Sequence, residues 1–325
     1  MHFVVIMDPV STILPEADTT FALMEEAEKR GHRVDHCLNT DLILESGRLS
    51  ARVARAKMAR SSSPPVTLGE ASVVDLHAVD AVFVRTDPPF DDNYLWTTQL
   101  LEAVRRDTLV VNDPRGIQHA NEKLYTTYFP ELMPATLVTA HKDRIKAFVT
   151  KVGGRSVIKP LDGRGGEGVM VLSDGDPNVN AIIETTTKNG RRAAMVQVFL
   201  PEVKVGDKRV LLLDGELLGA VLRVPASDDI RSNLRVGGRA VKAGIDAAEQ
   251  KLIDTLTPKL RQDGLYFVGI DLIGGFLTEV NVTSPTGIQA MTRLDGVNYS
   301  ASVIDWVEKR AARVKAAQTA GSRVT

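Results

Sequence analysis

Apolar residues follow two regimes along the chain. In the first third, short blocks of consecutive apolar residues alternate with segments of helical period. Residues 3–7, 81–85 and 109–112 are strand-sized runs of the buried type. After the first of them, Asp18-Thr19-Thr20 offers a helix cap, Phe21, Met24 and Ala27 share one stripe, and Gly31 stops the segment. Between the other two, Asp91-Asp92 opens a helix through Leu95, Leu100, Leu101 and Val104. This pattern predicts an open α/β layer, with no glycine fingerprint after its first strand. Residues 60–65, Arg-Ser-Ser-Ser-Pro-Pro, predict an exposed loop, and the chain from about Ala316 predicts a frayed end.

Farther along, strand patterns dominate: residues 156–159, 169–172, 194–199, 209–213, 217–224, 266–272 and 277–281. Asn121 is expected to cap a short helix over residues 122–129. One strong helix interrupts the strands. Asp246 and Glu249 form a capping box, Leu252, Ile253, Leu256 and Leu260 make its apolar stripe, Gly264 ends it, and Pro258 should kink it. The second region therefore reads as an α+β body around antiparallel sheet, with two lids.

Composition narrows the classes. The chain has 325 residues, 43% hydrophobic and 25% charged, with a formal net charge of −1. That length suits two or three domains, and the near-neutral charge offers no footprint for nucleic acid or an anionic membrane. The N-terminal apolar run lacks a basic flank and a cleavage site, and no run approaches a membrane span, so a soluble, cytoplasmic protein is expected. The single cysteine, Cys37, leaves no internal disulfide. All six histidines lie in the first half of the chain, away from the acidic and glycine-rich segments described next, which argues against a local zinc site or histidine base there.

Gly163, Gly165 and Gly168 satisfy G-x-G-x-x-G. A dinucleotide fingerprint needs a helix after the glycines, but Val169-Met170-Val171-Leu172 follows, so the nicotinamide reading fails. No Gly-Lys-Ser/Thr closes the loop as a Walker A motif. The glycines instead join two strands, as a flap whose backbone N–H groups can cover phosphates, or as a plain exposed hairpin.

The sharpest chemical signal runs from Gly269 to Gly287. Alternation places Glu279 and Asn281 on one strand face, with Val280 and Val282 toward a core. A two-residue turn at Gly274-Gly275 would point Asp271 away from Glu279. A three-residue loop over 274–276 would pair them, and this bulged connection is the one expected. Two carboxylates and a carboxamide, with no nitrogen or sulfur ligand, suit Mg²⁺ shared with nucleotide phosphates. Lys159 ends the strand entering the flap and Lys123 lies at the domain junction. Arg209 and Arg223 fall near the same end of a hairpin turning at Asp214-Gly215, and a buried Arg223 needs an anionic partner. The polar segment 225–240 reads as a mobile loop whose Arg231, Asn233 and Arg235, with Gly237-Gly238, either close on a carboxylate substrate or do nothing. Thr86-Asp87-Pro88-Pro89 makes a rigid corner that presents Arg85 and Asp87 at a sheet edge, or an ordinary turn.

Taken in order, Lys123, Lys159 with its glycine flap, "QVFLPE" from Gln197, Asp207-Lys208-Arg209, Arg223 and Asp271…Glu279-x-Asn281 resemble the ATP-grasp ligases. "MDP", "DPPFD", "NEKL", "KPLDGRGGEGV", "GDKRV", "GGR" and "TEVNVTSPTG" are similar, more closely, to the bacterial glutathione synthetase family. The resemblance spans residue 7 to about residue 287. It implies an ATP-grasp fold behind an N-terminal pre-ATP-grasp domain: residues 1–121, a central subdomain with the flap over 122–202, and a C-terminal subdomain over 203–315. It implies ATP-dependent joining of γ-glutamylcysteine to glycine through an acyl phosphate, with Mg²⁺ or Mn²⁺, in a homotetramer. Lys123 and Lys159 would hold phosphates under a flap of Gly163, Arg164, Gly165, Gly166 and Gly168. Gln197, Phe199 and Leu200 would face adenine, and Asp207 would lie near the ribose. Asp271, Glu279 and Asn281 would ligate the metal. Arg85, Asp87, Ser284, Pro285 and Thr286 would hold the dipeptide, while Arg209, Arg223 and Arg231 would serve the reacting groups, with Asn233, Gly237 and Gly238 in the substrate lid. Phosphoryl transfer needs positioning and charge neutralisation, which matches lysines, arginines and oxygen ligands without a protein nucleophile. A D-alanine–D-alanine-like or glutamate-adding ligase, or a regulatory ATP-binding module, are the rival readings.

Overall fold

The computed structural model describes residues 1–225 and 238–321. Three sheets follow one another along the chain. The first contains β1 (His2–Ile6), β2 (Arg33–Cys37), β3 (Leu42–Glu45), β4 (Arg48–Met58), β5 (Val66–Asp75), β6 (Ala81–Val84) and β7 (Leu109–Val111), with helices α1 (Thr19–Lys29), α2 (Asp92–Leu101) and α3 (Pro114–His119). Strands β2, β1, β6 and β7 run parallel, the expected open α/β layer. Asp18 and Asp91 cap their helices, accepting from the Phe21 and Tyr94 amides at 2.8 and 2.9 Å.

β3, β4 and β5 form an antiparallel excursion at one side of this layer. The 60–65 segment is the turn between β4 and β5, and Ser61 to Pro64 are exposed as expected.

The second sheet holds β8 (Thr136–Thr139), β9 (Arg155–Pro160), β10 (Met170–Ser173) and β11 (Ala194–Val198), covered by α4 (Lys142–Lys151) and α5 (Val179–Thr186). Its order is β10-β9-β11-β8, all antiparallel. The third has β12 (Asp207–Leu213), β13 (Glu216–Val224), β14 (Arg239–Lys242), β15 (Phe267–Ile273) and β16 (Phe276–Asn281), with α6 (Ala247–Gln262), α7 (Ile288–Asp295) and α8 (Tyr299–Gly321). Val210, Leu212, Val280 and Val282 pack one face of this sheet on Leu252, Ile253, Leu256 and Leu260 of α6. The capping box of α6 is present, Glu249 N to Asp246 at 2.8 Å and Asp246 N to Glu249 at 3.0 Å.

Two expectations are refined or corrected. The short helix expected over residues 122–129 is present but shorter, as a 3₁₀ helix over Leu124–Tyr128. Asn121 does cap it, accepting from the Lys123 and Leu124 amides at 3.1 and 3.0 Å. Thr126 and Thr127 then donate back to the Lys123 and Leu124 carbonyls, each at 2.6 Å, in competition with helical bonding. Nor does the chain fray at Ala316, because α8 runs on to Gly321. Its buried Val303, Ile304, Val307 and Ala311 join the core around α1, and Lys315 and Gln318 reach back to His77 and Asp107 at 3.0 and 3.1 Å.

The first and third sheets are joined by Asn112, buried beyond β7. Its amide nitrogen donates to the Phe267 and Val282 carbonyls at 2.9 and 2.7 Å, and its oxygen accepts from the Phe267 amide at 2.6 Å. Such a side chain satisfies both strands at once. Gly116 packs so tightly on this seam that a Cβ there would lie 2.1 Å from the Asp263 carbonyl.

Candidate active site

Ile273 pairs with Phe276 across Gly274-Gly275, whose φ angles of 57° and 82° suit a two-residue turn. The register then shifts at Asp271/Leu272, so Thr278 is an extra residue on β16 and Asp271 faces Glu279. The expected pairing of the two acids is present. The expected three-residue loop is not: the left-handed glycines make the two-residue turn, and the extra residue is a bulge within the strand. Asn281 lies beside them, its Nδ2 donating to Asp271 Oδ2 at 3.2 Å.

Arg209 on β12 is the direct neighbour of Asp271 on β15. It grips the carboxylate with Nε to Oδ1 at 2.5 Å and Nη2 to Oδ2 at 2.9 Å, while Nη1 donates to the Thr286 carbonyl at 3.1 Å. Arg223, opposite Asp207 on β13, has the anionic partners that its burial demands: Asp207, and Asp271 Oδ1 at 3.0 Å. Burial alone would raise the Asp271 pKa, but the Arg209 and Arg223 guanidiniums more than reverse this and hold it well below the usual carboxylate range. Asp207 moves the other way: burial and the charge of Asp271 raise it against the pull of Arg223.

β9 and β10 are joined by the glycine segment, the expected strand–loop–strand flap with no helix. Gly165, Gly166 and Gly168 have left-handed φ, and a Cβ on Gly163 would lie 2.7 Å from the Glu167 carbonyl. Arg164 is exposed on the flap. Lys123 is buried beneath it, with Nζ donating to the Gly163 carbonyl at 2.7 Å and 3.7 Å from Glu279. Lys159, also buried, donates to Gln197 Oε1 at 2.8 Å. Burial first, and then the charge of Lys123, lower its pKa. The Arg155 guanidinium stacks 4.0 Å from the Phe199 ring.

The cleft between the second and third sheets has an apolar wall of Val157, Phe199, Leu200 and Ile273 and a polar wall that includes Lys159, Arg223 and Asp271. A second cavity, against the first sheet, is lined by Arg85, Asp87, Ser284 and Thr286. Arg209 and Arg223 line both. Arg85 is buried, donating only to Thr20 Oγ1 and the Pro285 carbonyl, each at 3.0 Å, and it makes no salt bridge among the described residues. Burial lowers its pKa, against the pull of Asp18 and Asp87. The Asp87 amide donates to Asp8 at 2.9 Å.

Gly238 directly precedes β14, whereas Arg231, Asn233, Arg235 and Gly237 lie outside the described residues. The sequence reading gave no role to Glu122. It is tied by Thr283 Oγ1 at 2.9 Å and by its own carbonyl, which accepts from the Val280 amide at 2.9 Å. Burial, and then the charge of Glu279, raise its pKa. An acid directly beside a lysine on a short capped turn was the available signal.

A flap-bearing antiparallel sheet and a second sheet with acids and arginines, closing on one cleft, define an ATP-grasp ligase. Solved structures agree on the fold. D-cycloserine synthetase DcsG superposes with a TM-score of 0.65 at 16% identity, over 97% of this chain and 100% of that one. The RimK domain ATP-grasp protein of Sphaerobacter thermophilus gives 0.61 at 17%, over 94% and 99%. Sequence is more specific. Residues 122–296 match the model of the prokaryotic glutathione synthetase ATP-grasp domain, and residues 1–118 match that of its N-terminal domain. The glutathione synthetase of Gloeobacter violaceus is 44% identical over 94% of this chain and 96% of its own, and that of Rhodopseudomonas palustris 45% over 94% and 97%. The chain belongs to the prokaryotic glutathione synthetase family. Its reaction is the ATP-dependent synthesis of glutathione from γ-glutamylcysteine and glycine. The family uses ATP with a divalent metal. Among the described residues, no helix is long and apolar enough to cross a membrane.

Proposed function

We propose that the cleft between the second and third sheets binds ATP and that the Arg85 cavity binds γ-glutamylcysteine, with the reacting carboxylate and the terminal phosphate meeting at Arg209 and Arg223. The supporting observation is that these two arginines line both cavities and converge on Asp271. Lys123 and Lys159 hold phosphates under the residues 163–168 flap. Phe199 and Leu200 face the base, Gln197 supports that wall, and Asp207 lies toward the ribose. Arg85 supports the dipeptide assignment most strongly, since a buried guanidinium without an anion is costly and a substrate carboxylate supplies one. Asp87 and the Ser284-Pro285-Thr286 turn complete that cavity, and Arg231, Asn233, Gly237 and Gly238 belong to the substrate lid.

Asp271, Glu279 and Asn281 fit a hard divalent cation, because two carboxylates and a carboxamide stand side by side on two adjacent strands; Asn281, whose nitrogen donates to Asp271, would turn its oxygen to the ion. We assign Mg²⁺, with Mn²⁺ as the alternative; when bound it neutralises phosphate charge. Around it, Arg209 and Arg223 orient the reacting carboxylate, the flap excludes water, and the lysines fix the phosphates. An acyl phosphate forms and the glycine amine then displaces phosphate. We propose a division into residues 1–121, 122–202 and 203–315, supported by one sheet in each, with the last turns of α8 running past the third boundary, and we propose a cytoplasmic homotetramer as the assembly. ADP release from Mg-ATP tests the reading, with γ-glutamylcysteine and glycine omitted one at a time. Full release is expected only with both; full release with another amino-acid pair but not this one overturns the substrate assignment.

A further inference from the structure

Three substrates react, and the first two have cavities. A third, smaller chamber of about 70 Å³ opens between them, and its lining includes Glu122, Glu279, Arg209, Asp87 and Ser284. It shares Arg209, Glu279 and Asn281 with the nucleotide cleft, and Arg209, Asp87, Ser284 and Thr286 with the dipeptide cavity. Whatever occupies it is adjacent to both other substrates at their meeting point.

Glu122 is the chamber carboxylate that the roles proposed above leave unused. Its Oε1 accepts from Thr283, while Oε2 accepts no hydrogen bond among the described residues. Its backbone is pinned to β16 through the Val280 amide, so the side chain is held on a rigid element rather than a loose loop. Its neighbour Lys123 donates instead to the flap carbonyl of Gly163 and forms no hydrogen bond with Glu122. A half-buried carboxylate with an open oxygen faces this small chamber; Lys123 and Arg209 act on it only through their charge at a distance, and neither hydrogen-bonds it.

We propose that Glu122 is the anchor for the ammonium group of the incoming amino acid, holding it in the third chamber beside the acyl carbon; the ammonium gives one proton to the open Glu122 oxygen, and the free amine then attacks that carbon as phosphate leaves. This rests on the functional reading above. The chamber suits a small zwitterion: its ammonium meets Glu122 and its carboxylate has Arg164 and Arg209 within the same lining. A charge-assisted hydrogen bond of this kind selects a protonated amine over a neutral one of similar size.

Glu122→Gln tests the assignment, since it keeps the shape and the bond from Thr283 while removing the charge. Two acceptors are compared with saturating ATP and γ-glutamylcysteine: glycine, and hydroxylamine, which is uncharged at pH 8 and has no ammonium to anchor. The expected result is a rise in the glycine KM of about 10- to 100-fold, with hydroxamate formation reduced less than about threefold and Glu122→Asp recovering part of the glycine affinity. Equal losses with both acceptors would place Glu122 on the nucleotide or folding side and overturn the proposal, as would an unchanged glycine KM. Absence of ADP release by the unsubstituted enzyme with both γ-glutamylcysteine and glycine would instead strike the functional reading itself.

Discussion

Arg209 and Asp271 face each other on adjacent strands and are joined by two parallel hydrogen bonds, at 2.5 and 2.9 Å, with both side chains more than nine-tenths buried. Removing one member of a buried pair leaves the other uncompensated, at a cost of about 3–5 kcal/mol. Arg209→Lys keeps a charge but loses the fork. Turnover in the ADP-release assay should fall on the order of 10²-fold or more, the scale of one lost preorganised donor. Turnover within a factor of about two of the parent would remove Arg209 from the reaction centre.

The depressed Asp271 pKa carries a pH dependence with a definite sign. In the unfolded chain this carboxyl titrates near about 3.9; in the folded chain it stays ionised to lower pH. Its contribution to stability is therefore complete above the unfolded value and is lost as pH falls through the folded one. Urea midpoints measured between pH 7 and 3 should decline on the acid side, and Asp271→Asn should flatten that decline while lowering stability at neutral pH. An identical slope in both proteins would rule out this residue as its source.

Cys37 closes β2 in full burial, and that burial, followed by the charge of Asp41, pushes its thiol up to about 12. Thiolate is the reactive form, so the native thiol should resist a disulfide-exchange reagent at pH 8 and react in full once guanidinium unfolds the chain. Rapid labelling of the native protein would show that β2 opens locally.

Gly163 tests the flap. A methyl group there would meet the Glu167 carbonyl at 2.7 Å and Pro160 Cγ at 2.8 Å. Gly163→Ala should raise the KM for ATP about tenfold, or ~1.4 kcal/mol, and leave the melting temperature nearly unchanged, because the flap lies outside the four buried clusters. Loss of melting temperature without a change in KM would mean that the flap supports the fold rather than the nucleotide.

Much of this was legible in the sequence wherever burial forces a pattern. The continuous apolar runs of β1, β6 and β7 and the capping box of α6 are local signals, and they match the observed elements. The Asp271–Glu279 pairing was expected, although by a different route: alternation fixes which faces are possible, but not whether the odd residue lies in the turn or, as Thr278 does, within the strand. β5 was missed because most of its residues are exposed and give no hydrophobic period. Asn112 and Glu122 act through partners about 150 residues or more away, Phe267, Val282 and Thr283, a relation that no local window carries. The cavity at Arg85 was legible only in part, since Gln289 and Arg293 of α7 hold its outer loop by donating to the backbone carbonyls of Pro15, Glu16 and Asp18.

Both lysines proposed for ATP already have oxygen partners in the protein, Lys123 on the Gly163 carbonyl and Lys159 on Gln197. On that proposal, nucleotide entry is an exchange of partners: each phosphate oxygen would displace a protein oxygen acting as placeholder. An affinity for ATP would then report a difference between two bonded states, and the flap would be released from Lys123 as the triphosphate takes that lysine over.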